Sequence, residues 1–176
     1  GKLSEAADYL RKEFNVEKHE GQNIRAITNA PYYAYVKISE GCNNTCAFCV
    51  IPNIRGRLKS RTIEDIEQEI EFLSEKGVKE IIIISQDTTQ YGMDIYGEEK
   101  LIPLMKKLTV RFSNLLFRML YLNPEGVSEE LIKFAAETKN VIKYFEIPVQ
   151  HASDKILTKM RRASTRQVID NVFDTI

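Results

Sequence analysis

Gly41-Cys42-Asn43-Asn44-Thr45-Cys46-Ala47-Phe48-Cys49 holds every cysteine in the 176-residue chain. Three residues separate the first two thiols and two separate the last pair. Disulfide frameworks usually spread an even number of cysteines along a small secreted chain, so this spacing speaks against one. Structural zinc takes four ligands in paired groups, and the two histidines, His19 and His151, stand far from the loop in sequence. Thiols also pack as small hydrophobes, but three in one loop with none elsewhere make a poor core. A loop this tight can place three thiolates at three corners of a cubane 4Fe-4S cluster and leave the fourth iron without a protein ligand. An iron with an open position is a place for a small molecule to bind. Zinc and incidental thiols are the competing explanations of the same residues.

Working outward, Tyr33-Ala34-Tyr35-Val36-Lys37-Ile38 is β-branched and aromatic, and reads as the strand that delivers the chain to the cysteines. Downstream, Ile63, Ile66, Ile70 and Leu73 share one helical face. Thr62 with Asp65 supplies the N-terminal cap of that helix, and Gly77 its left-handed stop. Ile81-Ile82-Ile83-Ile84 is apolar on both faces, as a parallel strand covered on two sides must be. The alternation then continues with a helix over 101–108 and a strand over 115–121. A helix over 129–138 capped by Ser128, a strand over 144–149 and a short helix over 154–160 follow. A last helix over 167–176 has Ser164 and Gln167 as its capping-box pair.

Four successive β/α units predict the α/β class, with a parallel open sheet. A closed eight-unit barrel needs about 250 residues, so the expectation is a partial TIM-like (β/α) barrel, roughly half of one, with unpaired edges on the first and last strands. Ligands in such folds collect at the carboxyl ends of strands. The cysteine loop, Gln86-Asp87-Thr88-Thr89, Asn123-Pro124 and Gln150-His151 each follow one of the predicted strands and so share one rim.

Cys42, Cys46 and Cys49, with an aromatic just before the third and a strand before the first, resemble the cluster loop of radical S-adenosylmethionine (radical SAM) enzymes. The stretches 35–42, Arg55-Gly56-Arg57 with Ser60-Arg61, 86–92 and Pro148-Val149-Gln150-His151 resemble the methylthiotransferase family within them, from about Tyr32 to the C-terminus. Asp87-Thr88-Thr89 looks most like the branch that modifies an aspartate of a ribosomal protein. Relatives acting on isopentenyladenosine in tRNA (MiaB-like) tend towards Gln-Asn-Val-Asn at that point, although Gly41-Cys42-Asn43-Asn44 is a spelling they share. The resemblance implies a 4Fe-4S cluster on the three cysteines and S-adenosyl-L-methionine on its open iron. It further implies one-electron cleavage to a 5′-deoxyadenosyl radical and a methylthio group placed on the β-carbon of the aspartate. A small-subunit ribosomal protein substrate and a reductase or flavodoxin/ferredoxin-type electron donor follow from it as partners. A tRNA methylthiotransferase is the alternative substrate class, and a non-catalytic iron–sulfur or zinc module the alternative of another kind. The family's second cluster, held by three further cysteines, and its C-terminal recognition domain have no counterpart in these residues.

Outside the cysteines, each candidate has a plain role beside the functional one. Phe48 packs the loop or lies near the adenine, as the family suggests. Gln86, Asp87, Thr88 and Thr89 form an ordinary polar strand-to-helix loop, or sit where radical SAM enzymes hold the methionine amine and carboxylate. Arg118, in the middle of a strand, needs a partner: Glu146 on the next strand, or a carboxylate of cofactor or substrate. Gln150 and His151 satisfy backbone at the strand end or meet a ribose or the substrate. Arg55, Arg57, Lys59 and Arg61 are a solvated basic run or a docking face for an acidic electron donor or ribosomal RNA.

Lys plus Arg balances Asp plus Glu at 25 each, so no overall field steers the chain to nucleic acid or membrane. No apolar run approaches the roughly 20 residues that span a bilayer. Reduced thiols destined for iron need a reducing compartment, which makes the cytoplasm the expected location. Residues 1–31 read as a helix and a polar linker; the resemblance implies that they come from an N-terminal domain and that 32–176 is the radical SAM core, cut at its C-terminal side.

Overall fold

Ala34 and Val36 are buried while their neighbours Tyr35 and Lys37 are exposed, the alternation of a strand with one covered face. The computed structural model describes residues 2–14 and 31–176. In chain order its elements begin with α1 (Lys2–Phe14), β1 (Tyr33–Lys37), β2 (Ser39–Glu40), α2 (Ile51–Arg55), β3 (Lys59–Ser60), α3 (Ile63–Glu75) and β4 (Glu80–Ile84). They continue with α4 (Leu101–Arg111), β5 (Leu116–Met119), α5 (Glu129–Glu137), β6 (Val141–Phe145), α6 (Asp154–Lys159) and α7 (Arg166–Thr175). The predicted linker, which runs to Pro31, lies outside the described residues over 15–30.

β1, β4, β5 and β6 form one parallel sheet in that order, with Ala34 opposite Ile81 and Ile81 opposite Phe117. Sequential order with a helix between neighbours is what short connections produce. Ala34, Val36, Ile81, Ile83, Phe117 and Met119 share one core with Ile66, Ile70 and Leu73 of α3, Leu104 and Leu108 of α4, and Leu131 and Ala135 of α5. Burying side chains of this size contributes roughly 1.5–3 kcal/mol each, which holds the helices to one face. A four-stranded arc of β/α units, the predicted partial barrel, is the result.

Local signals act as expected at α3. Thr62 Oγ1 accepts from the Asp65 amide at 3.3 Å. At the other end Gly77 has φ +89, with its amide on the Ser74 carbonyl and the Val78 amide on the Leu73 carbonyl, a Schellman closure.

Three features differ from the sequence expectation. The fourth strand of the sheet is 141–145 rather than 144–149. Asn140 Nδ2 bonds the carbonyls of Thr109, Phe112 and Leu115, and its own carbonyl accepts from Phe117, so ladder pairing starts immediately after it. The cap of α7 is Thr165, whose hydroxyl accepts from the Val168 amide at 3.3 Å, because Ser164 is buried with its hydroxyl on Glu125. Lastly, β2 and β3 pair antiparallel and α2 lies between them, so the cysteine loop is pinned into a small ribbon of its own.

Candidate functional site

Gly41 opens the cysteine loop at φ +73, and a Cβ there would fall on the carbonyl oxygens of Gly56 and Arg57. Only glycine allows that approach, and it lets the Cys42 amide reach the Gly56 carbonyl at 3.2 Å. Asn43 Oδ1 then accepts from the Leu58 amide at 3.2 Å, and the Ala47 amide donates to the Met160 carbonyl at 2.9 Å. The loop is thereby fixed both to the ribbon and to the end of α6.

The thiols of Cys42, Cys46 and Cys49 are free and half-buried, and all three residues line a main cavity of about 460 Å³. That volume falls within the roughly 300–1,000 Å³ of small-molecule and cofactor sites. Every strand of the main sheet contributes beyond its carboxyl end: Ser85 and Gln86 after β4, Tyr121 and Asn123 after β5, Pro148 and Gln150 after β6, with Arg162 from the turn after α6. Tyr121 at φ +59 and Gln150 at φ +67 hold left-handed backbone that side-chain-bearing residues rarely adopt, and both line the cavity. Two polar atoms of lining residues are buried without a protein partner, the acceptor Gln86 Oε1 and the donor Arg162 Nε.

A second cavity, also of about 460 Å³, reaches the same three cysteines and is lined further by Asn43, Pro52, Arg57 and Arg161.

Asp87 and Thr88 do not line the main cavity; both are buried. Asp87 accepts from Asn44 Nδ2 at 2.8 Å, Asn123 Nδ2 at 2.5 Å and Thr89 Oγ1 at 2.7 Å, while Thr88 Oγ1 donates to the Leu120 carbonyl at 2.7 Å. Arg118 also lies off the cavity. Its Nε donates to Glu80 Oε1 at 2.6 Å and its guanidinium stands 5.2 Å from the Tyr144 ring centre, so its carboxylate partner is Glu80 and not Glu146. His151 is exposed, and its Nδ1 accepts from the Ser153 amide at 2.9 Å. Phe48, Gln86 and Gln150 are the other predicted site residues that the fold brings together with the thiols. Within the basic run, Arg55 pairs with Glu40 at 3.5 Å and Arg61 with Asp65 at 2.6 Å and with Glu69, while Arg57 faces the second cavity.

The donor set fits a cluster. Among the described residues no three of His, Cys, Asp and Glu converge on one point for a single ion, and His151 is committed to its own turn. A cubane takes each thiolate on a separate iron, so its ligands need a common cavity and not a common point. Burial pushes the Cys42 thiol up from its ordinary pKa, the Asn44 amide opposes this, and Asp87, Cys46 and Cys49 add to the rise.

A family profile described as the Radical SAM superfamily matches residues 36–174. The chain belongs to the radical SAM superfamily. This radical SAM core is 49% identical over 154 residues to the ribosomal protein uS12 methylthiotransferase RimO of Acetivibrio thermocellus, covering 88% of the chain and 34% of the relative. It is 48% identical over 152 residues to the RimO of Clostridium tetani, covering 86% and 34%. The chain thus spans about a third of the length of these relatives. Among solved structures, a radical S-adenosylmethionine methyltransferase, TsrM from Kitasatospora setae, shares its fold, with TM-score 0.65 and 16% identity over 81% of this chain and 28% of the other.

Arg162 and Asn44 are lining residues of the radical SAM core that sequence patterns did not reveal. Asn44 sat inside the quoted cysteine loop with no signal separating it from Asn43. Arg162 follows a six-residue helix as one of two adjacent arginines, and nothing in the spacing shows which of them turns towards the thiols.

Proposed function

We propose that this chain is the radical SAM core of a methylthiotransferase that places a methylthio group on the β-carbon of an aspartate in a small-subunit ribosomal protein. One observation carries the cofactor part: three thiols share a cavity with an orphaned buried acceptor, Gln86 Oε1, and an orphaned buried donor, Arg162 Nε. Buried polar groups are rarely left unmatched, so a ligand bearing both an ammonium and a carboxylate suits the pair. The amino-acid end of S-adenosylmethionine is such a ligand.

In this reading Cys42, Cys46 and Cys49 hold the 4Fe-4S cluster. Gln86 accepts from the ammonium, and Arg162 binds the carboxylate by charge-assisted hydrogen bonding. Phe48 offers a ring face and Gln150 an amide to the nucleoside. Asp87 and Thr88 support this wall from beneath, and Arg118 and His151 take no part in binding. When bound, the cluster would supply the one electron for cleaving the sulfonium of S-adenosylmethionine into methionine and a 5′-deoxyadenosyl radical. The chain's own contribution is to hold the reactants in line and exclude water, with apolar lining from Ile51, Ile84 and Pro148.

The substrate assignment is supported by curated relatives at 40–49% identity named as uS12 methylthiotransferases. A cytoplasmic location accords with a ribosomal target, and no described helix is long and apolar enough to cross a membrane. A low-potential reductase or flavodoxin/ferredoxin-type protein is the electron donor, and the second cysteine-lined cavity with Arg57 and Arg161 is where an acidic one would approach.

Anaerobic reconstitution tests the assignment. The expected product carries roughly four irons and four sulfides per chain, with a spectrum that changes on adding S-adenosylmethionine. Replacing any one of Cys42, Cys46 and Cys49 by alanine abolishes that response. A stable zinc complex indifferent to S-adenosylmethionine would falsify the enzyme class. Modification of an isopentenyladenosine tRNA stem-loop, with none of the ribosomal protein, would overturn the substrate.

A further inference from the structure

We propose that Asp87 and Asn123 are positioning residues that hold the Arg162 guanidinium against the Cys46 sulfur and thereby set the reduction potential of the centre that the cysteines carry. The proposal rests on the cluster assignment above and adds to it a role for Asp87, behind the cavity wall, acting through Asn123, which lines it.

Asp87 is 2% exposed, and a carboxylate is almost never that buried without a salt-bridge partner. Its side chain here bonds to neutral donors: the amides of Asn44 and Asn123 and the hydroxyl of Thr89. Each asparagine is thereby oriented, because only an NH₂ can face a carboxylate. Asn44 must turn its oxygen outward, where it accepts from Gln90 Nε2 at 2.9 Å. Asn123 must likewise present Oδ1 away from Asp87, and Arg162 Nη2 donates to it at 2.7 Å and to the Pro148 carbonyl at 3.1 Å. The fork so held places Arg162 Nη1 at 3.9 Å from Cys46 Sγ. A line of hydrogen bonds runs from the loop after β4, through the end of β5, to a cysteine after β1.

A cation donating to a ligating thiolate stabilises the reduced, more negative state of a cluster and raises its potential. Losing Arg162 from this place lowers it. Two variants of Asp87 separate position from charge. Asp87→Asn removes the charge but keeps the geometry: its oxygen still accepts from both asparagines, and its NH₂ donates to the Thr89 hydroxyl, which turns to accept. Asp87→Ala removes both, so Asn123 is free to flip and present NH₂ to the guanidinium.

The experiment is a potentiometric titration of the reconstituted full protein followed by electron paramagnetic resonance, with iron and sulfide content and circular dichroism checked for each variant. Arg162→Met is expected to shift the midpoint to more negative potential. Asn123→Ala, which changes no charge, is expected to shift it the same way, and the double variant to match Arg162→Met alone, since residues on one line are not additive. Asp87→Ala is expected to lie more negative than Asp87→Asn. Equal potentials for the two Asp87 variants, or a wild-type potential in Asn123→Ala beside a shifted Arg162→Met, overturns the proposal. Should Asp87→Ala not fold, the Asn123→Ala comparison decides alone. A wild-type protein that forms no cluster responsive to S-adenosylmethionine sinks the assignment itself, whereas a normal wild type with an unshifted Asn123→Ala sinks only the positioning role.

Discussion

Arg118 shows how a single side chain is assigned by register. Its place in the middle of a strand said that it needed a partner, and the expected ones were Glu146 on the next strand or a carboxylate of cofactor or substrate. In the parallel ladder Arg118 lies opposite Ile82 of β4, so Glu80, two residues earlier on the same face, is within reach. Glu146 lies beyond the end of β6. The pair is half-buried at 28% and 23% exposure, between the surface pairs that contribute little and the buried ones whose breakage is severe. Arg118→Met is therefore expected to destabilise the fold by about 1–3 kcal/mol in urea denaturation, and Arg118→Met with Glu80→Gln to recover part of it. S-adenosylmethionine affinity of the reconstituted protein stays unchanged in both. A large loss of that affinity with intact stability would make Arg118 a cofactor ligand after all.

At the level of elements, caps and stops were legible because they act over three or four residues. Thr62, Gly77 and Ser128 each do in the structure what their sequence neighbourhood indicates, with Ser128 Oγ accepting from the Leu131 amide at 3.2 Å. Ser164 failed as a cap for a non-local reason: the loop after β5 brings Glu125 to it and draws the hydroxyl away, so Thr165 takes over. Thr165→Ala is expected to cost about 1 kcal/mol of stability, the usual loss of an N-cap, with amide hydrogen-exchange protection reduced in α7 only. Ser164→Ala acts differently, releasing the tie between α7 and the loop over 124–126. Equal, cap-sized losses with identical exchange patterns in the two variants would show that Ser164 caps as well. The fourth strand was misplaced for a similar reason, since Asn140 fixes where pairing begins through three carbonyls supplied by α4 and the turn after it.

Across the whole molecule, the ends of all four parallel strands meet at one cavity, so whatever binds there bridges segments up to 120 residues apart, as Cys42 and Arg162 are. A ligand held by the folded state alone stabilises it by an amount that grows with the logarithm of its concentration over its dissociation constant. The cluster-loaded protein is expected to unfold at a higher urea concentration than the metal-free one, and S-adenosylmethionine to add a further increment only when the cluster is present. A metal-free protein that gains equally from S-adenosylmethionine would place the ligand away from the cysteines. The spacing of the three cysteines, the period-two and helical apolar patterns, and the polar segment after each strand were enough to specify a parallel β/α arc with a thiolate rim, because each depends on residues close in the chain. Which polar residues face the cavity was decided only by tertiary structure. Gln86 and Asp87 are adjacent, yet one lines the cavity and the other is buried beneath it, and Arg162 arrives from a turn that sequence spacing could not aim. Side-chain direction at a loop is fixed by the partners that three other segments bring to it, and those partners exist only once the sheet has formed.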